Sequence, residues 1–161
     1  MVAKDGETST RKILRYVGVS MSFDWSQYFD VAQELAEQAK TAPLPLQEAK
    51  LRASISRAYY AVFSKARYHL RYTIKIPEPN PLVDVNGNRI NIHQYVKQTY
   101  MNSSEEDYVE IGLALDRMIK NRNAADYDLY NEVLTKLPFT TQVTLMWAKD
   151  ALSRLKRIQK K

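Results

Sequence analysis

The feature that most constrains the fold is the run from Leu46 to Leu70, LQEAKLRASISRAYYAVFSKARYHL. Ile55, Ala58, Tyr59, Val62, Phe63, Ala66 and Leu70 recur at steps of three and four, the spacing that gathers side chains on one helical face. The run holds no glycine, and Pro43 and Pro45 lie just ahead of it, where a helix tolerates proline. Its content is less ordinary than its pattern. Ser56, Arg57, Tyr59 and Tyr60 put a cation and three hydroxyls on or beside the stripe. By pattern alone these are polar tips of a core helix reaching water.

The flanking chain supplies partners for that stripe. Ser22 or Asp24 can cap a helix that carries Trp25, Tyr28, Phe29, Ala32, Leu35, Ala36 and Ala39 inward, ending near Lys40. The short connector Thr41–Pro45 then predicts a helical hairpin. Pro77, Pro79 and Pro81 forbid helix between Arg71 and Ile92, and the alternation around Asn86-Gly87 predicts a short β-hairpin or ordered loop inserted at about 72–92. Asp84, Asn86 and Asn88 do not make a calcium loop: the glycine is misplaced, and Tyr95 stands where a bidentate glutamate belongs. A third helix is expected from Asn91 or His93 to Met101, carrying Tyr95, Val96 and Tyr100. A fourth is expected after a capping signal at Ser103–Glu106, with Tyr108, Ile111, Leu115, Met118 and Ile119 inward and Arg122 at the end of the stripe. A guanidinium so placed must be paired or used. Beyond an Asn123–Tyr130 segment, Phe139-Thr140-Thr141 is expected to cap a last helix burying Val143, Met146, Trp147, Ala151, Leu155 and Ile158. The predicted fold is all-α, an up-down bundle of four to five helices over residues 23–161. Residues 1–22 read as an N-terminal extension with a short helix over Arg11–Val19.

With 161 residues, 45% apolar and 26% charged, the chain fits one ordinary globular domain. It lacks cysteine, which excludes disulfides, thiolate metal sites and cysteine nucleophiles. No apolar run approaches the roughly 20 residues of a membrane span, and a cytoplasmic location is expected. The two histidines, His69 and His93, have no carboxylate at metal-ligand spacing, and the four glycines are scattered, so neither a zinc site nor a phosphate loop is predicted. No cofactor is expected. The formal charge of +6 favours a polyanionic partner. Part of that excess, Arg154 to Lys161, also suits a helix C-terminus.

Three polar clusters therefore fall on apolar faces: Ser56-Arg57-Ala58-Tyr59-Tyr60, His93, and Arg122-Asn123-Ala124-Ala125-Asp126-Tyr127. Together with Phe23-Asp24-Trp25 and the final helix from Phe139 to Leu155, their order resembles the HEPN superfamily (higher eukaryote and prokaryote nucleotide-binding domains), in particular its small prokaryotic members. The resemblance covers about residues 23–157. It implies an α-helical domain that pairs about a two-fold axis. It also implies either a metal-independent ribonuclease or the HEPN partner of a minimal nucleotidyltransferase, in a toxin–antitoxin arrangement. In the nucleases an arginine is followed four to six residues later by histidine. A near-neutral acid–base group and a fixed cation are what cleavage by a ribose 2′-hydroxyl needs. Here Arg122 matches the arginine and Asn123 the polar residue beside it, but Tyr127 stands where the histidine would be.

The resemblance thus nominates Arg122, Asp126 and Tyr127 as catalytic candidates. Ser56, Arg57, Tyr60, His93 and Asn123 are candidates for binding nucleotide or RNA. Three functions follow: a homodimeric module binding nucleotide or RNA in an Arg/Tyr-lined cleft beside a nucleotidyltransferase partner; an active ribonuclease toxin using Arg122 with Tyr127, Asp126 or His93; and a structural dimerisation domain. Asp126 can instead serve as an ion-pair partner for Arg57 or Arg122, His93 as a helix-start or buried histidine satisfied by hydrogen bonds, and Tyr127 as a residue that a partner nucleotidylates.

Overall fold

The computed structural model describes residues 23–160; the extension 1–22 and its expected helix lie outside the described residues. Two helices, α1 (Gln27–Ala39) and α2 (Leu44–Tyr68), form the predicted hairpin. A π-helical turn, His69–Thr73, prolongs α2. After an irregular segment come α3 (Ile92–Met101), α4 (Glu106–Tyr127), the single turn α5 (Glu132–Thr135) and α6 (Leu137–Ile158). The chain is an all-α bundle. No helix among the described residues is long and apolar enough to cross a membrane.

The long second helix is the hub, touching α1, α3, α4 and α6. Every residue of its predicted stripe is buried, Ile55, Ala58, Val62 and Ala66 completely. Such burial contributes about 25 cal/mol per Å² of apolar surface removed from water. Tyr59 and Tyr100 are also fully buried. The Tyr100 hydroxyl donates to the Ala66 carbonyl oxygen at 3.1 Å, so its desolvated tip is satisfied.

Helix boundaries depart from the sequence reading in several places. The first helix begins at Gln27 with Ser26 as its N-cap, past both Ser22 and Asp24, and the Asp24 carboxylate accepts the Ser26 N–H ahead of it. The second helix starts at Leu44, with Pro43 as N-cap and Pro45 in its first turn, because the first helical N–H groups have no intrahelical acceptor to lose. The Ser103 hydroxyl accepts from the Glu105 N–H, ahead of the helix, and the N-cap of α4 is Glu105. That helix ends at Tyr127, so the Arg122–Tyr127 cluster closes it and the segment expected over Asn123–Tyr130 is irregular only from Asp128. In α6 the cap position is Lys136, so Phe139–Thr141 already lie within the helix. Its buried phase is Thr141, Thr144, Ala148, Ala151, Leu155 and Ile158. Met146, expected inside, is 61% exposed. The two threonines can be buried because their hydroxyls donate to the carbonyls of Leu137 and Thr140, one turn back.

Among the described residues the insertion is an ordered loop with one antiparallel bridge, Val83 to Arg89, and no strand. Gly87 turns it at φ 80°. Asp84 Oδ1 accepts the N–H groups of Asn86 and Asn88, which lowers its pKa. Glu78 anchors the loop to α2 through a two-pronged bond from Arg67, at 2.6 and 2.9 Å.

Two buried positions are exacting. At Gly112, where α4 meets the end of α3, a Cβ would lie 2.6 Å from Met101 Cγ and 2.7 Å from the Met101 backbone nitrogen. Gly112→Ala is expected to cost about 1–3 kcal/mol by overpacking, although alanine is the better helix former by about 1 kcal/mol; urea unfolding measures the balance. His69 is 1% exposed, with Nε2 bonded to the Tyr108 hydroxyl at 3.0 Å and Nδ1 without a partner among the described residues. Burial holds its pKa below the ordinary 6.5. Between the two values the unfolded chain binds the proton and the native chain does not. Stability is therefore expected to fall as pH drops below about 6.5. His69→Gln, which keeps a polar partner for Tyr108, should flatten that fall in urea titrations at pH 7 and pH 5.

Candidate functional site

Arg122 sits on the last full turns of α4, on the side facing α2. Its side chain is only 12% exposed. One Nη2 donates to the Tyr60 hydroxyl at 2.6 Å and to the Tyr127 hydroxyl at 3.1 Å. Nη1 donates to Asn123 Oδ1 at 3.1 Å. Nε lies 2.8 Å from Asp126 Oδ2, an ion-pair distance without hydrogen-bond alignment, so the Nε–H makes no hydrogen bond among the described residues. The guanidinium carbon is 5.1 Å from the centroids of both the Tyr60 and Tyr127 rings, close enough for cation–π attraction.

The second helix completes the arrangement. Ser56, 5% exposed, donates to the same Asp126 oxygen at 3.1 Å; its hydroxyl positions the carboxylate. Of the two pairings open for Asp126, the structure forms the one with Arg122. Arg57 has no carboxylate partner among the described residues and lies instead 5.1 and 5.4 Å from the Tyr28 and Tyr60 ring centroids.

His93 reaches the site from the first turn of α3. Asn91 caps that helix in a reciprocal bond with Gln94, which fixes where the imidazole starts. Nδ1 is 2.7 Å from the Tyr59 hydroxyl, and the ring lies 4.2 Å from that of Phe63, centroid to centroid. Burial, then the charges of Arg122 and Arg67, hold its pKa below 6.5. Burial also raises the Tyr59 phenol well above its ordinary value, so both groups are neutral at pH 7.

A cavity of about 300 Å³ opens between α3 and α4, lined by Tyr59, His93, Lys97, Asp116, Arg122 and Asn123 among others. It is at the small end of ligand-binding clefts. His93 and Arg122, 29 positions apart in sequence, thus share one cavity. Lys97, Asp116 and Lys120 are additions that sequence reading missed. Asp116 and Lys120 are one turn apart on α4, while Lys97 comes across from α3 to bind Asp116 at 2.8 Å. Only the one-turn pair could have been read locally. Arg52 was missed too: it donates to the carbonyls of Ala125 and Asp128, at 3.1 and 2.7 Å, closing the end of α4 behind Tyr127. A larger groove of about 1130 Å³ at the α2 start, lined by Leu44, Leu51, Leu129 and Tyr130, shares none of the nominated residues.

No family model, curated protein or solved structure matches the chain. The chemistry available is therefore that of the geometry: an oriented guanidinium, a neutral imidazole, phenol hydroxyls, and no group of three metal-ligating side chains among the described residues. The electrostatic link is measurable. Arg122→Gln removes a charge that disfavours imidazolium, so the His93 pKa should rise in an NMR titration while that of His69 stays put.

Proposed function

We propose that the protein is a HEPN-type module that binds nucleotide or RNA at the Arg122 site, works as a homodimer, and acts beside a minimal nucleotidyltransferase in a toxin–antitoxin pair. The observation that carries this reading is the placement of Arg122. A guanidinium drawn inward, braced by Tyr60, Asn123 and Asp126 and lining a cavity with His93, is pre-organised for an anion. Arginine pairs with phosphate through a planar fork. Tyr127, 71% exposed at the rim, offers a face on which a base can stack. The order of the clusters along the chain resembles that of the HEPN superfamily, and that resemblance is what supports the two-fold pairing and the nucleotidyltransferase partner.

A second reading, a metal-independent ribonuclease, draws support from His93. Position 127 holds a tyrosine, yet an imidazole from α3 lines the same cavity as Arg122. Kept neutral at pH 7, it suits proton transfer from or to a ribose hydroxyl. Arg122 would then stabilise charge building on the phosphate.

Fluorescence anisotropy with single-stranded RNA and with nucleotides separates these from a purely structural domain. Binding is expected to weaken steeply with salt and to fall about tenfold to a hundredfold in Arg122→Ala, the worth of hydrogen bonds to a charged group. Cleavage in EDTA, abolished by both Arg122→Ala and His93→Ala, would select the ribonuclease. Absence of both binding and cleavage would leave only a dimerisation role, and light scattering tests the dimer itself.

A further inference from the structure

Resting on the reading that the Arg122 site takes nucleotide or RNA, we propose that the site continues across α2 onto α1 as a second nucleotide subsite, formed by Arg57 and Tyr28. The supporting observation is a ladder in which rings and guanidiniums alternate. Tyr127 is followed by Arg122, Arg122 by Tyr60, Tyr60 by Arg57, and Arg57 by Tyr28. The successive guanidinium-to-centroid distances are 5.1, 5.1, 5.4 and 5.1 Å. Three helices contribute, α4, α2 and α1, so no local sequence pattern generates it.

The two cations of the ladder differ in how they are satisfied. Arg122 has a carboxylate 2.8 Å away. Arg57 makes no ion pair among the described residues, and its hydrogen-bonding edge is left for an anion. A cation flanked by rings with its charge unmatched is poorly explained as packing, since a neutral side chain would fill the space without the desolvation cost. It is what a single-stranded polynucleotide requires: phosphate contacts alternating with aromatic faces for the bases. Arg57 and Arg122 both sit beside the Tyr60 ring, at 5.4 and 5.1 Å from its centroid, so phosphates one or two nucleotides apart on one strand can reach them together. Tyr28 is itself braced, edge-on, by Trp25 at 5.6 Å and Phe23 at 5.5 Å. A ring so held loses little freedom when a base stacks on it.

The occupant is thus a strand of at least two or three nucleotides, engaged at both ends of the ladder, rather than a mononucleotide. Anisotropy with fluorescein-labelled oligouridylates, and competition with uridine monophosphate, test this through the ratio of oligomer to mononucleotide affinity. In the wild-type protein the ratio is expected to rise as the oligomer lengthens from two to six nucleotides. Tyr28→Leu should lower it about tenfold, the order of one lost stacking contact, Arg57→Gln about as much, the order of one lost charge-assisted hydrogen bond, and Tyr28→Phe should preserve it because the ring and not the hydroxyl is used. Arg122→Ala should weaken oligomer and mononucleotide alike. Wild-type ratios in both Tyr28→Leu and Arg57→Gln, with Arg122→Ala still weakening binding, would overturn the subsite and leave the proposed function standing. Wild-type protein that binds neither ligand overturns both. Arg57→Gln changes a half-buried side chain that makes no ion pair among the described residues, and it carries the test if Tyr28→Leu fails to fold.

Discussion

The site depends on one tie, between the guanidinium of α4 and the phenol of α2. Arg122 stands where the apolar stripe of its helix would place another aliphatic residue, and its charge is drawn into a half-dry crossing. Tyr60 accepts from it, Asp126 neutralises it one turn on, and Ser56 fixes the carboxylate from the facing helix. Each member needs the others. Without Asp126 the arginine would be a poorly compensated charge beside the core, and without Ser56 the carboxylate would lose its tether to α2. Polar groups in such a setting specify one relative placement of two helices more sharply than aliphatic packing can, because few other placements satisfy them.

Around that crossing the fold adds one group from each direction. The Arg52 guanidinium takes two carbonyls at the end of α4, which holds the last turn, and therefore Tyr127, in helical register. The reciprocal Asn91–Gln94 cap sets the start of α3, and the Tyr59–His93 contact ties that start to the hub. The close approach at Gly112 brings the far end of α3 against α4. The imidazole is thus positioned from both ends of its helix, by hydrogen bonds at one and by backbone contact at the other.

How much of this was legible in the sequence follows from the range of each interaction. The α2 stripe, the hairpin with α1 and the inward face at Ile111, Leu115 and Met118 were legible because periodicity is local and hydrophobic burial obeys it. Arg122 was legible as an anomaly on such a stripe. Its local pairing with Asp126, one turn on, was legible too; its ties to the second helix were not, because Tyr60 is 62 positions away and the Ser56–Asp126 bond spans 70, distances over which only the packed bundle decides. Cap positions failed for a different reason. Ser103 and the threonines at 140 and 141 have competing hydrogen-bond acceptors and donors nearby, so residue type alone leaves the helix start open by several positions. The buried phase of α6 slipped because Thr141 and Thr144 hide their hydroxyls on their own helix, while Met146, more apolar, faces out.

Charge tells the same story at larger scale. The basic run near the C-terminus looks, in sequence, like the natural place for a polyanion. In the bundle, Arg154 and Arg157 both converge on Asp107, in the first turn of α4, at 2.9 and 2.6 Å, and Arg154 also holds Asp150. Lys97 and Lys120 share Asp116, and Lys65 takes Asp24. These cations are largely spent on the fold. Beside the Tyr60 ring, Arg57 and Arg122 have one carboxylate partner between them among the described residues, Asp126. Under the proposed function, local imbalance of that kind would act on a phosphate more strongly than a greater number of exposed lysines, because water and salt screen the latter far more. The formal excess of +6 favours an anionic partner, and several of its cations are already committed to ion pairs within the bundle.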